Sequence, residues 1–340
     1  PGAVFMTKKI LERLYETARG AGRLLILPHN DPDPDAIASA VALGYLLAER
    51  LGAESAIAYR GIIGRAENRA LVRYLDHPLE PLDDGDMQPS SGLALIDTQP
   101  GAGNITLPPG ATNVLVIDHH VRREESKTAI FADVRPELGA TSTILTQYLQ
   151  AADVEPPLSL ATALFYGIKT ITMGLSRNTS PDDAVAFSYL QPRIDVGALA
   201  RIEHSQVPAD YFRSFDAALR AARMYDGLIF AYIGMLAYPD LAAEMADVLL
   251  RLEKARWVIC VGSYSGALIL SVRTRGQEHT AEGLVQAIVV GEGSAGGHGT
   301  VAGGQISLRD GGAEQEVRLL LRRALRHLGL ATGVAGESLI

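Results

Sequence analysis

The sequence predicts an α/β protein in which a parallel-sheet domain is followed by a smaller α/β domain. Three short apolar runs, at 24–27, 93–96 and 114–117, each lead directly into a loop that carries acidic or imidazole side chains. Apolar runs between helical segments are typical of a parallel sheet covered on both faces. The chain has 340 residues, which is enough for two domains.

The pattern of apolar residues predicts the order of elements along the chain. Short strands, loops and helices are expected in the first part of the chain, helices dominate from about residue 141 to 224, and strands mixed with helices follow after about residue 226. The predicted helices span 7–20, 35–50, 141–150, 159–168, 210–224, 281–289 and 314–328, and the later strands span 228–233, 257–261 and 267–272. We therefore predict a first domain over 1–195, a helical linker over 196–225 and a second domain over 226–340.

Composition limits the possible partners and the compartment. The formal net charge is -8, whereas proteins that hold long nucleic acids usually carry a basic surface. The single cysteine, Cys260, lies in an apolar run, so we predict a buried thiol and neither an internal disulfide nor a paired-cysteine metal site. The apolar stretches are shorter than the roughly 20 residues of a membrane span. We therefore expect a cytoplasmic protein with no membrane partner.

The first candidate site follows the run 24–27 and reads His-Asn-Asp-Pro-Asp-Pro-Asp. His29, Asp31, Asp33 and Asp35 offer imidazole and carboxylate ligands, which suit manganese, magnesium or iron better than a thiolate zinc site would. The alternative is a turn in which one aspartate caps the next helix. Such a density of carboxylates favours a bound cation.

Two further groups follow the other apolar runs. Asp97 follows the run 93–96, and Asp118, His119 and His120 follow the run 114–117. Functional groups of parallel sheets lie beyond the carboxyl ends of the strands, so we expect all three groups at one edge. Adjacent histidines point in different directions, and one can bind a metal while the other faces substrate. A structural histidine pair is the alternative.

Together, His-x-x-x-Asp-x-Asp, the lone Asp97 and Asp-His-His resemble the DHH phosphoesterase superfamily. The superfamily includes RecJ-like exonucleases, oligoribonucleases, phosphoadenosine phosphate phosphatases, cyclic-dinucleotide phosphodiesterases and family II inorganic pyrophosphatases. The run Gly-Gly-His-Gly-Thr-Val-Ala-Gly-Gly at 296–304 resembles the DHH-associated second domain, which favours the phosphoesterase branch.

The resemblance implies two divalent metal ions, with manganese expected first and magnesium as the alternative. It assigns His29, Asp33 and Asp97 to one ion, and Asp35, Asp97 and His119 to the other, with Asp97 as the bridge. Catalytic roles fall to Asp97, Asp118, His119 and His120, of which Asp118 and His120 would support the site or face substrate. Asp31 is outside the ligand pattern, and we expect a role in loop structure.

The chain departs from the family pattern in the fourth motif. That motif reads Gly-Ile-x-Thr-Asp-Thr in the family, but here it reads Gly-Ile-Lys-Thr-Ile-Thr at 167–172. Ile171 replaces the aspartate that completes the second metal site, and its side chain has no ligand atom. Asp182 or Asp183 is a candidate replacement, although the spacing does not require it.

In the second domain, the resemblance indicates that Gly296, Gly297 and His298 bind substrate through a glycine-rich loop; the alternative is a flexible hairpin with an incidental histidine. Arg273, at a predicted strand end, is the best cation for a terminal phosphate, with a surface arginine as the alternative. Arg65 and Asn68 are weaker candidates for the cleft between the domains, where we expect the active site.

We therefore expect a metal-dependent phosphoesterase that hydrolyses short oligonucleotides, linear dinucleotides or phosphoadenosine phosphate by two-metal activation of water. Two alternatives stay open: a nucleotide-binding sensor with weak or no turnover, favoured by Ile171, and a single-stranded DNA exonuclease. The sequence does not decide the oligomeric state; a homodimer is one option.

Overall fold

The computed structural model describes residues 2–76, 79–82, 92–107, 114–276, 280–291, 293–308 and 312–340; the side chains of residues 2–6 and of His298 lie outside this description. The chain divides into two compact units, Pro1–Ser205 and Gln206–Ile340. The division falls inside the predicted linker 196–225.

The first unit begins with helices and strands in alternation, as the apolar runs predict, and ends in a run of helices. Its helices are α1 (Gly2–Gly20), α2 (Pro34–Leu51), α3 (Ala66–Leu75), α4 (Thr141–Ala151), α5 (Leu158–Ile171), α6 (Pro181–Leu190) and α7 (Val196–Glu203), with short 3-10 helices at Glu124–Thr128 and Gln191–Arg193. Its strands are β1 (Leu24–Pro28), β2 (Ser55–Tyr59), β3 (Leu79–Pro81), β4 (Gly92–Ile96), β5 (Val114–Asp118) and β6 (Phe131–Val134).

The sheet of this unit runs in the order β3-β2-β1-β4-β5-β6, and each neighbouring pair is parallel. The three strands predicted from the apolar runs, β1, β4 and β5, are direct neighbours in its centre. Parallel strands end at the same edge, so the loops after these three strands start side by side. The predicted α/β class is confirmed.

Alternate residues of the central strands enter two different clusters. Ile26, Ile96 and Ile117 join a large core that includes residues of α1, α2, α4 and α5. Their strand neighbours Leu27 and Leu95 join a smaller cluster, which packs against side chains such as Ile105 and Ala129. Burial on both faces explains why these strands read as continuous apolar runs rather than as an alternating pattern.

The second unit forms a separate mixed sheet in the order β11-β12-β10-β9-β8-β7-β13, in which the pair of β8 and β9 is parallel and the others are antiparallel. Its strands are β7 (Arg223–Tyr225), β8 (Leu228–Met235), β9 (Trp257–Tyr264), β10 (Ala267–Thr274), β11 (Gly293–His298), β12 (Val301–Ser307) and β13 (Glu337–Ser338). Its helices are α8 (Ala209–Ala221), α9 (Leu241–Leu249), α10 (Ala281–Val289) and α11 (Ala313–His327).

The sequence prediction left out several elements, among them β2, β6, α3, α6 and α9, and one predicted helix runs too far. The helix predicted over 210–224 ends at Ala221, because residues 223–225 pair with β8 as strand β7. Cys260 lies in β9 and is fully buried, which confirms the predicted buried thiol. Across the described residues, every helix is too short or too polar to cross a lipid bilayer.

Candidate metal centre

Side chains from the loops after β1, β4 and β5 meet at the carboxyl edge of the sheet. His29 follows β1, Asp97 follows β4, and Asp118 ends β5 with His119 and His120 directly after it. Within the described part of the chain, two groups have ligand atoms that all lie within 4.8 Å of one another: His29, Asp33 and Asp97, and Asp97, His119 and His120. Asp97 belongs to both groups and is their common member.

The carboxylate of Asp97 lies between two histidines. Its Oδ2 is 3.6 Å from Nε2 of His29, and its Oδ1 is 3.4 Å from Nε2 of His119. The backbone of Asp97 has φ 59, a left-handed conformation that aspartate tolerates better than most residues. Such backbone strain concentrates at functional sites. Each carboxylate oxygen thus serves a different histidine, which is the arrangement a bridging ligand needs.

Both histidines direct their Nε2 atoms at the carboxylates because their other nitrogens are held. Nδ1 of His29 lies 2.8 Å from the carbonyl oxygen of Asn30, and Nδ1 of His119 lies 3.3 Å from that of Leu138. A carbonyl only accepts, so in the neutral ring Nδ1 carries the proton and Nε2 carries the lone pair. Metal-binding histidines are commonly oriented in this way.

Asp33 has two tasks. Its Oδ1 accepts from the backbone N–H groups of Asp35 and Ala36 at 2.9 and 3.0 Å, so it is the N-cap of α2. The same oxygen lies 3.9 Å from Nε2 of His29. The helix cap and the metal candidate, which were alternatives for this loop, therefore coincide in one side chain, and the cap fixes the direction of its carboxylate.

Asp35 is fully buried and is held by the first turn of α4. Its Oδ2 accepts from the N–H of Thr141 at 2.8 Å, and its Oδ1 accepts from the N–H of Ser142 at 2.7 Å. Burial and the charge of Asp97 raise the pKa of Asp35 to about 7. Asp35 is in neither group with ligand atoms within 4.8 Å. Its predicted role in the second metal set stays a proposal.

Asp118 and His120 form a close pair. Nδ1 of His120 is 2.8 Å from Oδ1 of Asp118, which also accepts from the backbone N–H of His120. Burial alone would lower the pKa of His120, but the bond to Asp118 raises it to about 9. The side chain of His120 is 39% exposed, whereas Asp118 is fully buried. A cationic imidazole therefore faces solvent beside the carboxylates, where an anionic ligand can reach it.

The residues present fit divalent cations. The Nε2 atoms of two histidines face carboxylate oxygens at 3.4 to 3.9 Å, an arrangement that is stable when a proton or a metal ion lies between them. Burial and the neighbouring Asp33 raise the pKa of Asp97 to about 7. The negative charge of this carboxylate is therefore unfavourable in the metal-free site, and a bound cation would stabilise it. Imidazole and carboxylate donors without thiolates suit manganese or magnesium better than structural zinc.

Sequence reasoning missed three residues that hold these ligands. Oγ1 of Thr141 donates to Oδ1 of Asp97 at 2.7 Å, and the backbone of Ser142 anchors Asp35. Nε2 of Gln99 donates to Oδ2 of Asp118 at 2.7 Å. The polar run Thr-Ser-Thr at the start of a predicted helix was the available signal, because a buried helix N-terminus offers free N–H groups to an anion.

Two segments brace the loop that carries His29. Oδ1 of Asp31 accepts from the N–H of Ile62 at 2.7 Å, and its own N–H bonds to the carbonyl of Arg60. Nδ2 of Asn68, a buried residue of α3, lies 3.4 Å from the carbonyl oxygen of Pro32. These contacts agree with the loop role expected of Asp31, and they give Asn68 a supporting contact. Arg65 is the residue directly before α3.

The fourth-motif position lies at the end of α5. A side-chain carbon at Gly167 would lie 3.1 Å from Cα of Asp35 and 2.5 Å from Oγ of Ser142, so α5 passes very close to both. Ile171 is one helical turn further along the same face. Ile171 therefore lies on the helix face that, one turn earlier at Gly167, passes close to Asp35 and Ser142.

Asp183 and Asp182, the candidate replacements, both have other partners. The buried Asp183 accepts from the N–H groups of Gly139 and Ser180 and from the hydroxyls of Thr143 and Ser180. It completes a capping box at the start of α6. The exposed Asp182 accepts from Nε2 of Gln147 at 3.2 Å. Asp183 is therefore a structural anchor between α4 and α6.

In the second unit, the predicted substrate residues lie in a β-hairpin and on β10. The glycine-rich run is not an open loop: Gly296 and Gly297 are in β11 and pair with Gly303 and Ala302 of β12. Gly297 has φ 154, and a side-chain carbon there would lie 2.5 Å from Cβ of Ala302, so only glycine fits. The predicted side-chain contact of His298 lies outside the described residues.

Arg273 is buried and engaged inside the unit. Its Nε donates to Oδ1 of Asp247 at 2.5 Å, and its Nη1 donates to Oγ of Ser271 at 2.8 Å. Its exposed fraction is 7%. Arg273 is therefore not the surface arginine of the alternative prediction; it forms an ion pair with Asp247 within the unit. Contact with a substrate phosphate stays a prediction.

Comparison with known proteins identifies the first unit. Residues 23–168 match the DHH family, N-terminal domain. The matched segment contains every residue of the described metal centre, from His29 to Ser142. The first unit therefore contains a DHH-family domain. The matched segment includes Asp118, His119 and His120, the Asp-His-His sequence that carries the resemblance.

Two curated relatives of this DHH protein extend beyond the family segment. An uncharacterized protein of Methanocaldococcus jannaschii is 38% identical over 308 residues, which cover 89% of this chain and 62% of the relative. The cyclic-di-AMP phosphodiesterase GdpP of Geobacillus thermodenitrificans is 28% identical over 330 residues, which cover 91% of this chain and 48% of the relative. The chain therefore spans about half to three fifths of these relatives.

A solved structure supports the fold of the DHH protein. An exopolyphosphatase-related protein from Bacteroides fragilis superposes with a TM-score of 0.71 and 15% sequence identity, covering 94% of this chain and 96% of that one. At this identity the likeness concerns the fold alone.

Proposed function

We propose that this DHH protein is a metal-dependent phosphoesterase that hydrolyses phosphate esters of small nucleotides. The observation that carries the proposal is the position of Asp97 between Nε2 of His29 and Nε2 of His119. A bridging carboxylate with a histidine on each side is the ligand arrangement of a two-metal site. The family match of residues 23–168 supports the same reaction class.

The substrate class we propose comprises short oligonucleotides, linear dinucleotides and phosphoadenosine phosphate. The net charge of -8 favours small anions held at a local cationic site over long nucleic acids held by a basic surface. The relative named as a cyclic-di-AMP phosphodiesterase supports a phosphodiester substrate and adds cyclic dinucleotides to those worth testing.

His29, Asp33 and Asp97 would hold one divalent ion, and Asp97, His119 and Asp35 would hold the second. When bound, these ions would supply Lewis-acid polarisation of the phosphoryl group and acidify a nearby water. The chain's own contribution is to keep the ligand atoms in place: Asn30 and Leu138 orient the two imidazoles through their carbonyls, and Thr141 orients Asp97.

His120 is the proposed contact with the phosphoryl group. Its imidazole is held in the cationic form by Asp118, and it is the most exposed member of the cluster that it forms with Asp97 and His119. A positioned imidazolium donates a hydrogen bond to a phosphoryl oxygen and stabilises the negative charge that develops there. Asp118, fully buried, keeps that ring in place and does not itself contact substrate.

The test is release of mononucleotide from a 5′-labelled RNA dinucleotide with Mn²⁺, comparing the parent chain with Asp97→Ala and Ile171→Asp. Turnover in the parent that disappears in Asp97→Ala supports the proposal. Parallel reactions contain phosphoadenosine phosphate, linear diadenylate and cyclic diadenylate. No turnover of any of the four by the parent, despite saturating Mn²⁺, would contradict it.

One observation favours a second candidate, a nucleotide-binding sensor with weak or no turnover. Ile171 replaces the aspartate of the fourth motif, so the proposed second metal set has only three protein ligands. Tight binding of a nucleotide by an inactive parent, with activity gained in Ile171→Asp, would favour the sensor. Activity in the parent favours the enzyme.

A further inference from the structure

We propose that Gln99 is a positioning residue that sets the orientation of the Asp118 carboxylate and, through it, of the substrate-facing His120 ring. Gln99 lies two residues after the bridging Asp97, in the loop that follows β4. The inference rests on the proposed phosphoesterase function and adds a residue to its machinery that does not touch metal or substrate.

The carboxamide of Gln99 is 1% exposed and uses both of its ends. Its Nε2 donates to Oδ2 of Asp118 at 2.7 Å and to the carbonyl of Val121 at 3.1 Å. Its Oε1 accepts from the N–H of Arg123 at 2.9 Å and from Oγ of Ser126 at 2.7 Å. Donors face one end and acceptors the other, so this pattern fixes which atom is oxygen and which is nitrogen.

The Nε2 end controls Asp118. With Oδ2 of Asp118 held by Gln99, Oδ1 is left to accept from Nδ1 of His120 at 2.8 Å and from the N–H of His120 at 3.2 Å. A carboxylate is planar, so fixing one oxygen fixes the direction of the other. Gln99, Asp118 and His120 therefore form a chain of hydrogen bonds that ends at the exposed imidazole.

The Oε1 end has a separate task. It holds the start of the segment Glu124–Thr128 through Arg123 and Ser126, and the hydrogen bonds among the described residues join neither of them to Asp118. A purely structural role for Gln99 would act through this end and through the bond from Nε2 to the carbonyl of Val121. A positioning role would act through Nε2. The two ends can be changed separately.

Two substitutions separate the ends. Gln99→Glu keeps Oε1 as an acceptor for Arg123 and Ser126 but replaces the donor that faces Asp118 with an oxygen. Ser126→Ala removes a partner of Oε1 and leaves the donor to Asp118 intact. Gln99→Met has similar length and no hydrogen-bonding ends, so it serves as a second variant at position 99. Gln150→Ala, on the exposed face of α4, is the surface control.

The direct measurement is the NMR signal of the imidazole N–H proton that His120 shares with Asp118, in metal-free protein labelled with ¹⁵N-histidine and assigned by its absence in His120→Gln. We expect the signal to shift or broaden in Gln99→Glu and Gln99→Met and to persist in Ser126→Ala and Gln150→Ala. An unchanged signal in both Gln99 variants would overturn the proposal. This measurement does not depend on turnover.

Kinetics of the Mn²⁺-loaded protein give the second readout. We expect kcat to fall about 10- to 100-fold in Gln99→Glu, the range for residues that support an active-site ligand, with Mn²⁺ affinity kept. Ser126→Ala should retain the parent kcat. Equal losses in Gln99→Glu and Ser126→Ala would indicate loop stability instead and overturn the positioning role. A parent inactive on every substrate, with the NMR result as expected, would reject the proposed function alone.

Discussion

Oγ1 of Thr141 donates a 2.7 Å hydrogen bond to Oδ1 of Asp97, the same oxygen that faces Nε2 of His119. The backbone N–H of Thr141 also bonds to Asp35. One residue at the start of α4 therefore holds two of the proposed ligands of the second metal ion. The bond limits rotation of the Asp97 carboxylate and keeps its two oxygens directed at the two histidines.

Replacing Thr141 with valine should weaken metal binding without unfolding the unit. Valine keeps the branched shape and removes only the hydroxyl, so the Asp97 carboxylate loses one restraint. We expect Mn²⁺ affinity to fall about 10-fold or more, as for other residues that hold ligands. Isothermal titration calorimetry at fixed pH measures the change.

The matched control for Thr141→Val is Thr146→Val. Thr146 is equally buried on α4, but its hydroxyl bonds to the carbonyl of Ser142 within the helix. Its loss should leave Mn²⁺ affinity unchanged. Equal weakening by the two substitutions would show that the stability of α4, rather than the bond to Asp97, determines the affinity.

Asp97→Asn should have opposite effects on stability with and without metal. Burial and Asp33 raise the pKa of Asp97 to about 7, so the metal-free folded protein binds a proton that the unfolded chain, with an ordinary aspartate, releases. The free energy of unfolding of the metal-free parent therefore falls as pH rises from about 4 to about 7. Asparagine has no charge to bury. At pH 8 without divalent ions, we expect the variant to have the larger free energy of unfolding.

Manganese should reverse that order. A ligand at 100 times its dissociation constant stabilises the folded state by about 2.7 kcal/mol, and the variant lacks the bridging charge that binds it. Urea unfolding at pH 5 and pH 8, with EDTA and with Mn²⁺, measures both effects. A metal-free variant less stable than the parent at pH 8 would contradict the predicted charge repulsion.

Asp183→Asn should destabilise the first unit without changing metal binding. Four hydrogen-bond donors converge on this carboxylate, and an amide would turn one N–H₂ group toward them. We expect a loss of at least about 3 kcal/mol in the free energy of unfolding. Asp182→Asn, at the exposed neighbouring position, should cost less than about 0.5 kcal/mol. Loss of Mn²⁺ affinity in folded Asp183→Asn would instead support Asp183 as a ligand.

The sequence predicted the central strands and the ligands after them because both depend on local pattern. Buried parallel strands read as apolar runs, and the loops after them carry His29, Asp97 and the Asp-His-His motif. The strands β2 and β6 were missed. Their sequences, Ser-Ala-Ile-Ala-Tyr and Phe-Ala-Asp-Val, mix small or polar residues with apolar ones and give no clear period.

The supporting contacts could not be predicted, because they join residues far apart in the chain. Thr141 bonds to an aspartate 44 residues earlier, and Arg273 pairs with an aspartate 26 residues earlier. A lone arginine at a strand end reads equally well as a phosphate ligand or as one half of an ion pair. Only the fold shows that Nε of Arg273 donates to the carboxylate of Asp247.

Ile171→Asp should add a ligand to the second metal site. Position 171 matches the fourth-motif aspartate and lies one turn beyond Gly167, whose own side-chain position faces Asp35 and Ser142. The parent lacks this ligand in the second metal site. We therefore expect the parent to bind one Mn²⁺ ion tightly and a second one only at higher Mn²⁺ concentration. The variant should bind both tightly, measured as a change in calorimetric stoichiometry. Val185→Asp, on the exposed surface of α6, adds the same charge elsewhere and should retain the parent profile. Identical stoichiometry and affinities in the parent and Ile171→Asp would mean that the second site does not need the fourth-motif aspartate.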